Sequence, residues 1–326
     1  MIIILQILLL LAGFVGLIKG ADFFVDGSAS LARNFKVPGL IVGLTIVSLG
    51  TSCPELAVST SAALQGSNEI ALSNVIGSNI FNTLVVLGVC ALFHPIPVDV
   101  KVLRRDFPVC IGATVFVFLM AAGAALFGGR LSGLSMADEA GTVSRIAGVI
   151  LLIAMVAYIS YLVIDARKHP EKEEDEKKTP IWKCFLFIVI GIAMIVGGGE
   201  AVVYSAKEIA RAAGMTETLI GLTIIAVGTS LPELVTSVVA ARKGQVEMAV
   251  GNAIGSNILN ICLILGVSSV INPVAVNAAS VYDMIILLGI TVLTMIFSAT
   301  GRKINRIEGL IMVLAYAGDV VFAALR

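Results

Sequence analysis

Residues 43–89 of this 326-residue chain recur without a gap at 221–267, and 26 of the 47 aligned positions are identical. Gly43-Leu44-Thr45-Ile46 answers Gly221-Leu222-Thr223-Ile224. Gly50-Thr51-Ser52-Cys53-Pro54-Glu55-Leu56 answers Gly228-Thr229-Ser230-Leu231-Pro232-Glu233-Leu234, and Gly77-Ser78-Asn79-Ile80-Phe81-Asn82 answers Gly255-Ser256-Asn257-Ile258-Leu259-Asn260. Any fold of the chain must accommodate two copies of one unit. Each copy also carries a glutamate within an otherwise apolar stretch.

Composition says what surrounds those glutamates. With 58% hydrophobic and 13% charged residues, the chain has about half the charge of an average soluble domain. Apolar runs of roughly 20 residues, enough to cross a hydrocarbon core, fall at 2–18, 43–64, 69–93, 107–127, 146–164, 183–205, 220–241, 247–271, 283–299 and 308–325. The expectation is an all-α integral membrane protein of ten transmembrane helices. Residues 1–17 lack a basic start and an Ala-x-Ala-like cleavage site, so they read as a retained helix rather than a signal peptide. An ionisable side chain in such a span is expensive, and Glu55 and Glu233 occupy matching positions, which points to function. The zero net charge argues for no particular partner, and nothing in the sequence resembles a basic nucleic-acid surface. Five cysteines without C-x-x-C spacing read as packing residues.

Ten spans put both termini on one side. If that side is external, 17 of the 22 Lys and Arg residues fall in internal loops, which favours external N- and C-termini by the positive-inside rule. Residues 165–181 are the polar interruption, with Glu171 to Lys178 entirely charged. Interleaved lysines neutralise its acidic cluster, so it reads as a solvated cytoplasmic linker rather than a calcium sensor. It separates two five-span units, 1–164 and 182–326. Because five is odd, the second unit starts from the opposite face, giving inverted-topology repeats with a site expected near the midplane.

The repeated motif has its own chemistry. Pro54 and Pro232 have no N–H to give the carbonyls of Gly50 and Gly228, so each span is expected to break into half-helices around exposed oxygens. If helix continues locally, Thr51 and Ser52 share a face with Glu55, and Thr229 and Ser230 with Glu233. Asn74, Ser78 and Asn82 lie at four-residue steps, as do Asn252, Ser256 and Asn260. This is an all-oxygen set that suits Ca²⁺, or several Na⁺, better than zinc or copper; His94 and His169 fall in loops. Gly43, Gly77 and Gly88 read as packing positions. Asp106, Asp283 and Asp319 read as structural carboxylates near span ends, within reach of headgroup water, and Asp22 and Glu200 as interfacial or gating groups.

At these residues the chain resembles the calcium/cation antiporter superfamily, whose best-known members are the Na⁺/Ca²⁺ exchangers. The resemblance covers the whole ten-span plan. It implies an ion site built from the second, third, seventh and eighth spans, with Glu55 and Glu233 at the centre and Thr51, Ser52, Thr229 and Ser230 beside them. Ser78 and Ser256 would lie on neighbouring spans, Asn82 and Asn260 one turn on, and the backbone carbonyls of Ser48 and Ala226 would complete the Na⁺ sites. It also implies that the long first and sixth spans slide over a more rigid core. Potassium-dependent members carry Asp where this chain has Asn260, which implies a potassium-independent type.

The expected activity is therefore not enzymatic. It is secondary active transport at the plasma membrane, Ca²⁺ exchanging for Na⁺ by alternating access, without a resident cofactor and with a single chain sufficing. Two bare carboxylates in an occluded cavity repel each other, so the empty site should not cross readily. The alternative is H⁺/Ca²⁺ exchange, with protonation of Glu55 and Glu233 replacing Na⁺; a passive cation channel is a third reading.

Overall fold

A computed structural model describes residues 2–66, 68–127, 135–136, 138–170, 179–214 and 226–325. Two helices of unusual length run side by side, α1 (Ile2–Phe35) and α7 (Ile181–Ala212). At 1.5 Å per residue each is about 50 Å long, well beyond a hydrocarbon core of about 30 Å. Both overrun the apolar runs that announced them, and glycines let the two backbones touch. A Cβ on Gly20 would lie 2.8 Å from the Ile195 nitrogen, and one on Gly191 would lie 2.6 Å from the Phe24 nitrogen. Small residues at an interhelical seam allow such close approach in lipid. The opposite side of α1 exposes Ile4, Leu8, Leu11, Val15 and Ile18.

The next span breaks as the proline predicts. α2 (Gly39–Thr51) and α3 (Cys53–Leu64) meet at 51° across Ser52. Ser52 sits at φ −85°, ψ 7°, outside the helical well, with Pro54 in the first turn of α3. The second copy repeats this: α8 (Ala226–Gly228) ends before Ser230 at φ −94°, ψ 5°, and α9 (Leu231–Arg242) carries Pro232 in its first turn. The first five residues of the second repeat, 221–225, lie outside the described residues.

Two long helices follow the broken ones: α4 (Asn68–Phe81, Asn82–Val86 and Leu87–Phe93) and α10 (Val246–Ile271). Each contains a π-turn beginning at the last asparagine of the Gly-Ser-Asn motif, Asn82–Val86 and Asn260–Ile264. These two helices form the centre of the molecule: 83% of the apolar stretch of α4 and 78% of that of α10 is buried, against 22–44% for α1, α5, α6, α7 and α11. The surrounding helices are α5 (Val102–Asp106 as a π-turn, then Phe107–Phe127), α6 (Arg145–Lys168), α11 (Ala278–Ala299) and α12 (Arg306–Leu325).

Glycine-to-carbonyl approaches set the outer packing. A Cβ on Gly88 would stand 2.9 Å from the Gly309 carbonyl, and one on Gly148 would stand 2.8 Å from that of Gly266. A Cβ on Gly43 would meet the Met248 carbonyl at 2.5 Å and the Gly251 Cα at 2.9 Å, whereas a Cβ on Gly77 would meet no atom within 4 Å, contrary to its expected packing role. Four short strands were not anticipated in an all-helical chain. β1 (Ile96–Pro97) pairs antiparallel with β4 (Lys303–Ile304), and β2 (Glu139–Val143) with β3 (Val274–Asn277). Each pair ties the first half of the chain to the second and satisfies backbone groups where helices end.

Among the described residues, seven helices and the bent pair α2–α3 are long and apolar enough to span a membrane. The expected 220–241 span begins outside the described residues, and Arg306–Leu325 is helical without joining that set. Asp106 does not reach headgroup water; it is fully buried and held by Arg105 and Tyr158. Four cysteines are buried, but Cys53 is exposed. The linker residues 171–178 lie outside the described residues.

Candidate functional site

The two breaks and the two central helices converge on Glu55 and Glu233, both fully buried. Each glutamate sits in the first turn of the helix that follows its break. There a carboxylate faces the unsatisfied N–H groups of a helix start, a favourable place for negative charge. Because the chain turns at Ser52 and Ser230, the neighbouring hydroxyls do not share a face with their own glutamate. They cross over. Ser52 Oγ donates to Glu233 Oε1 at 2.9 Å, and Ser230 Oγ donates to Glu55 Oε1 at 3.3 Å. Thr51 Oγ1 donates to Asn252 Oδ1 at 3.0 Å, and Thr229 Oγ1 approaches Asn74 Oδ1 at 3.5 Å.

The second tier is built within each copy. Ser78 Oγ lies 3.5 Å from Glu55 Oε1, and Ser256 Oγ lies 3.5 Å from Glu233 Oε1. Asn74 Nδ2 donates to Ser59 Oγ at 2.9 Å and reaches the Glu55 carbonyl at 3.4 Å; Asn252 does the same to Ser237 and Glu233, at the same two distances. The two copies are not equally enclosed, since Thr51 and Asn252 are fully buried whereas Thr229 and Asn74 are half-buried.

What remains unsatisfied matters most. Glu55 Oε2, Glu233 Oε2, Asn82 Oδ1 and Asn260 Oδ1 are buried without a hydrogen-bond partner. A buried acceptor with no donor is costly, and four of them in one pair of repeats leave oxygens free for a cation. Ser48 lies in the last turn before the first break, and its carbonyl accepts from Ser52 N at 3.0 Å. The counterpart bond is displaced: Ser230 N donates to Val227 O at 3.2 Å, not to Ala226, which opens α8.

The structure thus brings together Thr51, Ser52, Glu55, Ser78, Thr229, Ser230, Glu233 and Ser256 through side-chain hydrogen bonds. Asn82 sits at the start of its π-turn with both amide atoms unpartnered. A set of residues not singled out from the sequence stands behind them. Asn79 Oδ1 accepts from Asn260 Nδ2 at 3.0 Å, Asn79 Nδ2 donates to the Asn257 carbonyl at 3.1 Å, and Asn257 Nδ2 donates to Thr83 Oγ1 at 2.8 Å. Asn79 and Asn257, like Ser59 and Ser237, are identical between the copies, and that identity was the available signal. Thr83 has none, because its counterpart is Ile261.

The geometry has close relatives. The sequence profile of the family described as "Sodium/calcium exchanger protein" matches residues 5–164 and 183–325. The chain is 33% identical over 347 residues to the sodium/calcium exchanger MaX1 of Methanosarcina acetivorans, covering 98% of each protein. It is 35% identical over 275 residues to the inner membrane protein YrbG of Escherichia coli, covering 81% of this chain and 79% of that one. The fold matches the sodium-calcium exchanger NCX_Mj soaked with 10 mM Na⁺ and zero Ca²⁺, with TM-score 0.82, 31% identity, and coverage of 99% of this chain and 100% of that one. The chain is a multi-pass membrane member of the sodium/calcium exchanger protein family.

Proposed function

We propose that this chain exchanges Ca²⁺ for Na⁺ across the membrane by alternating access. The observation that carries the reading is the pair of buried carboxylates, Glu55 and Glu233, each steadied on Oε1 by a hydroxyl from the other half and each with Oε2 unpartnered. Two such carboxylates balance one divalent cation, and neutral oxygens of Thr51, Ser52, Ser78, Asn82 and their counterparts Thr229, Ser230, Ser256 and Asn260 fill out a hard-cation shell. The carbonyls of Ser48 and Ala226 serve Na⁺. With the cation gone, two like charges in a low-dielectric enclosure repel, so the empty site resists crossing and exchange becomes obligatory.

The same reading makes the two units, 1–164 and 182–326, five-span repeats of inverted topology joined by a cytoplasmic 165–181 linker, with both termini external. The recurrence of every serine–glutamate and asparagine–serine bond with the halves exchanged supports it. In this cycle α1 and α7 move together over the central helices α4 and α10.

Proteoliposomes loaded with Ca²⁺ test the proposal. Efflux that requires external Na⁺ is expected. Efflux driven by a pH gradient in Na⁺-free medium would replace it with H⁺/Ca²⁺ exchange, and efflux needing neither gradient would indicate a channel.

A further inference from the structure

Lys243 stands in the turn between α9 and α10, and its backbone is fixed there. Its N–H donates to the carbonyls of Val239 and Ala240, and Gly244 at φ 78° turns the chain toward α10. From that base the side chain reaches across to α1, where all three of its ammonium protons find acceptors. Nζ lies 2.8 Å from Asp26 Oδ1, 3.2 Å from Asp22 Oδ1 and 3.1 Å from the Asp22 carbonyl. The far oxygen of Asp22, Oδ2, leans to Lys19 at 3.8 Å. Lys243 is thus saturated as a donor, and it ties α1 to the turn on which α10 begins.

The tie stands at the sealed end of the site. Asn252, in the second turn of α10, and Thr51 are fully buried, with Oδ1 and Oγ1 3.0 Å apart. An added Cβ on Gly251 would stand 2.5 Å from the Leu40 carbonyl, so α2 lies against α10 with no room between them. At the other end the corresponding pair, Thr229 and Asn74, is half-buried and 3.5 Å apart. The repeat shows what that end lacks. Lys243, Asp22 and Asp26 correspond to Gln65, Glu200 and Tyr204, and Gln65 donates to Ser61 in its own helix at 2.9 Å. Position 65 holds no cation to pair with Glu200.

We propose that Lys243 with Asp22 and Asp26 is an electrostatic latch that holds this end of the ion path closed and must release before the bound ion can reach that side. The inference rests on the exchange reading above, in which α1 and α7 move over α4 and α10. In that reading the two halves trade conformations as the site passes from one access state to the other. The mirror contact, Gln65 to Glu200 and Tyr204, then has no ion pair to replace the one that is lost. An interaction made in one state alone shifts the balance of the two by its own free energy, so the latch favours the state sealed at Lys243.

Deuterium uptake by the backbone amides of the purified full-length protein in detergent, with Ca²⁺ held saturating, reads the latch directly. Lys243→Gln should speed uptake at 43–51 and 246–252 about two- to fivefold, the size expected of a partly exposed ion pair, without speeding it at 68–81, toward the other end. Choline chloride at about 1 M, where the Debye length is about 3 Å, should act on the wild type in the same way and leave Lys243→Gln unchanged. Asp22→Asn with Asp26→Asn should match Lys243→Gln, and combining all three should add nothing further. Wild-type uptake at 43–51 and 246–252 in Lys243→Gln would overturn the proposal, as would acceleration at both ends alike, which reports general loosening. If Lys243→Gln does not fold, the wild type decides: uptake at 43–51 and 246–252 that ignores added salt overturns the latch. The readout does not involve Na⁺, so a wild type whose Ca²⁺ efflux ignored Na⁺ would overturn the exchange reading and leave this measurement standing.

Discussion

Ser52 donates its hydroxyl to the carboxylate of Glu233 at 2.9 Å, across 181 positions of chain, and not to Glu55 three residues away. The helix break at Ser52 makes this possible by turning the hydroxyl out of the line of its own helix. The reverse bond, Ser230 to Glu55, is longer at 3.3 Å. Each carboxylate is therefore oriented by the opposite repeat, and the repeats cannot separate without releasing both.

From that difference in length we expect Ser52→Ala to impair the site more than Ser230→Ala. A hydrogen bond to a charged group contributes about 1.5–3 kcal/mol, so Ser52→Ala should raise the apparent KM for Ca²⁺ about tenfold or more. Ser230→Ala should raise it less. Initial rates of Ca²⁺ uptake into Na⁺-loaded proteoliposomes measure both, and equal effects would sink the ranking.

Glu55→Gln and Glu233→Gln should each reduce exchange to the background of protein-free liposomes. Glutamine keeps the volume and an acceptor for the partner serine, so the bonds at Oε1 survive while the charge that balances a divalent cation is lost. Size-exclusion profiles should match wild type. Normal exchange by either variant would remove that residue from the site.

The seam between α1 and α7 predicts a contrast among glycines. Gly20→Leu should sharply lower the thermal midpoint and the yield of folded protein, because its Cβ would lie 2.8 Å from the Ile195 nitrogen and 2.9 Å from the Gly191 carbonyl. Gly289 in α11 meets nothing within 4 Å of an added Cβ. Gly289→Ala should be neutral or stabilise by up to about 1 kcal/mol through helix propensity. Thermal unfolding in detergent distinguishes the two, and a tolerated Gly20→Leu would mean that the seam is looser than described.

Much of this site was legible because the chain states it twice. The glutamates, the hydroxyls before them and the serines and asparagines of the following helix all lie at repeated positions, and proline announced both breaks. Partner choice was not legible. Helical spacing assigns Ser52 to Glu55, and only the backbone turn at φ −85°, ψ 7° redirects it to Glu233. The π-turns at Asn82 and Asn260 leave no sequence mark, since one extra residue per turn is invisible in an almost uniformly apolar helix. Thr83, which accepts from Asn257 Nδ2, was invisible for the opposite reason: the comparison of repeats favours what matches, and its counterpart is Ile261.

Asp106 carries the last prediction, and it concerns stability rather than transport. Arg105 holds it with two bonds, Nε to Oδ1 at 2.6 Å and Nη2 to Oδ2 at 3.0 Å, and Tyr158 donates to Oδ1 at 2.9 Å. Arg105 also donates to Asp165 Oδ2 at 3.1 Å, an oxygen shared with Lys101 Nζ at 3.0 Å. The network pins the start of α5 to the end of α6. Asp106→Ala leaves Arg105 its bond to Asp165 but removes two of its bonds and strands the buried Tyr158 hydroxyl, so it should destabilise by about 1–3 kcal/mol. Tyr158→Phe, which removes one hydroxyl, should destabilise by about 1 kcal/mol. Replacing Arg105 and Asp106 together with Met and Leu should destabilise less than Asp106→Ala alone, because apolar side chains fill the buried site while Lys101 stays paired with Asp165. Chemical denaturation in detergent gives these values, and ⁴⁵Ca²⁺ affinity of the folded fraction should stay at the wild-type level in all three. A double variant less stable than Asp106→Ala would sink the pairing argument, and a loss of Ca²⁺ affinity in Tyr158→Phe would show that the network serves the ion site as well as the fold.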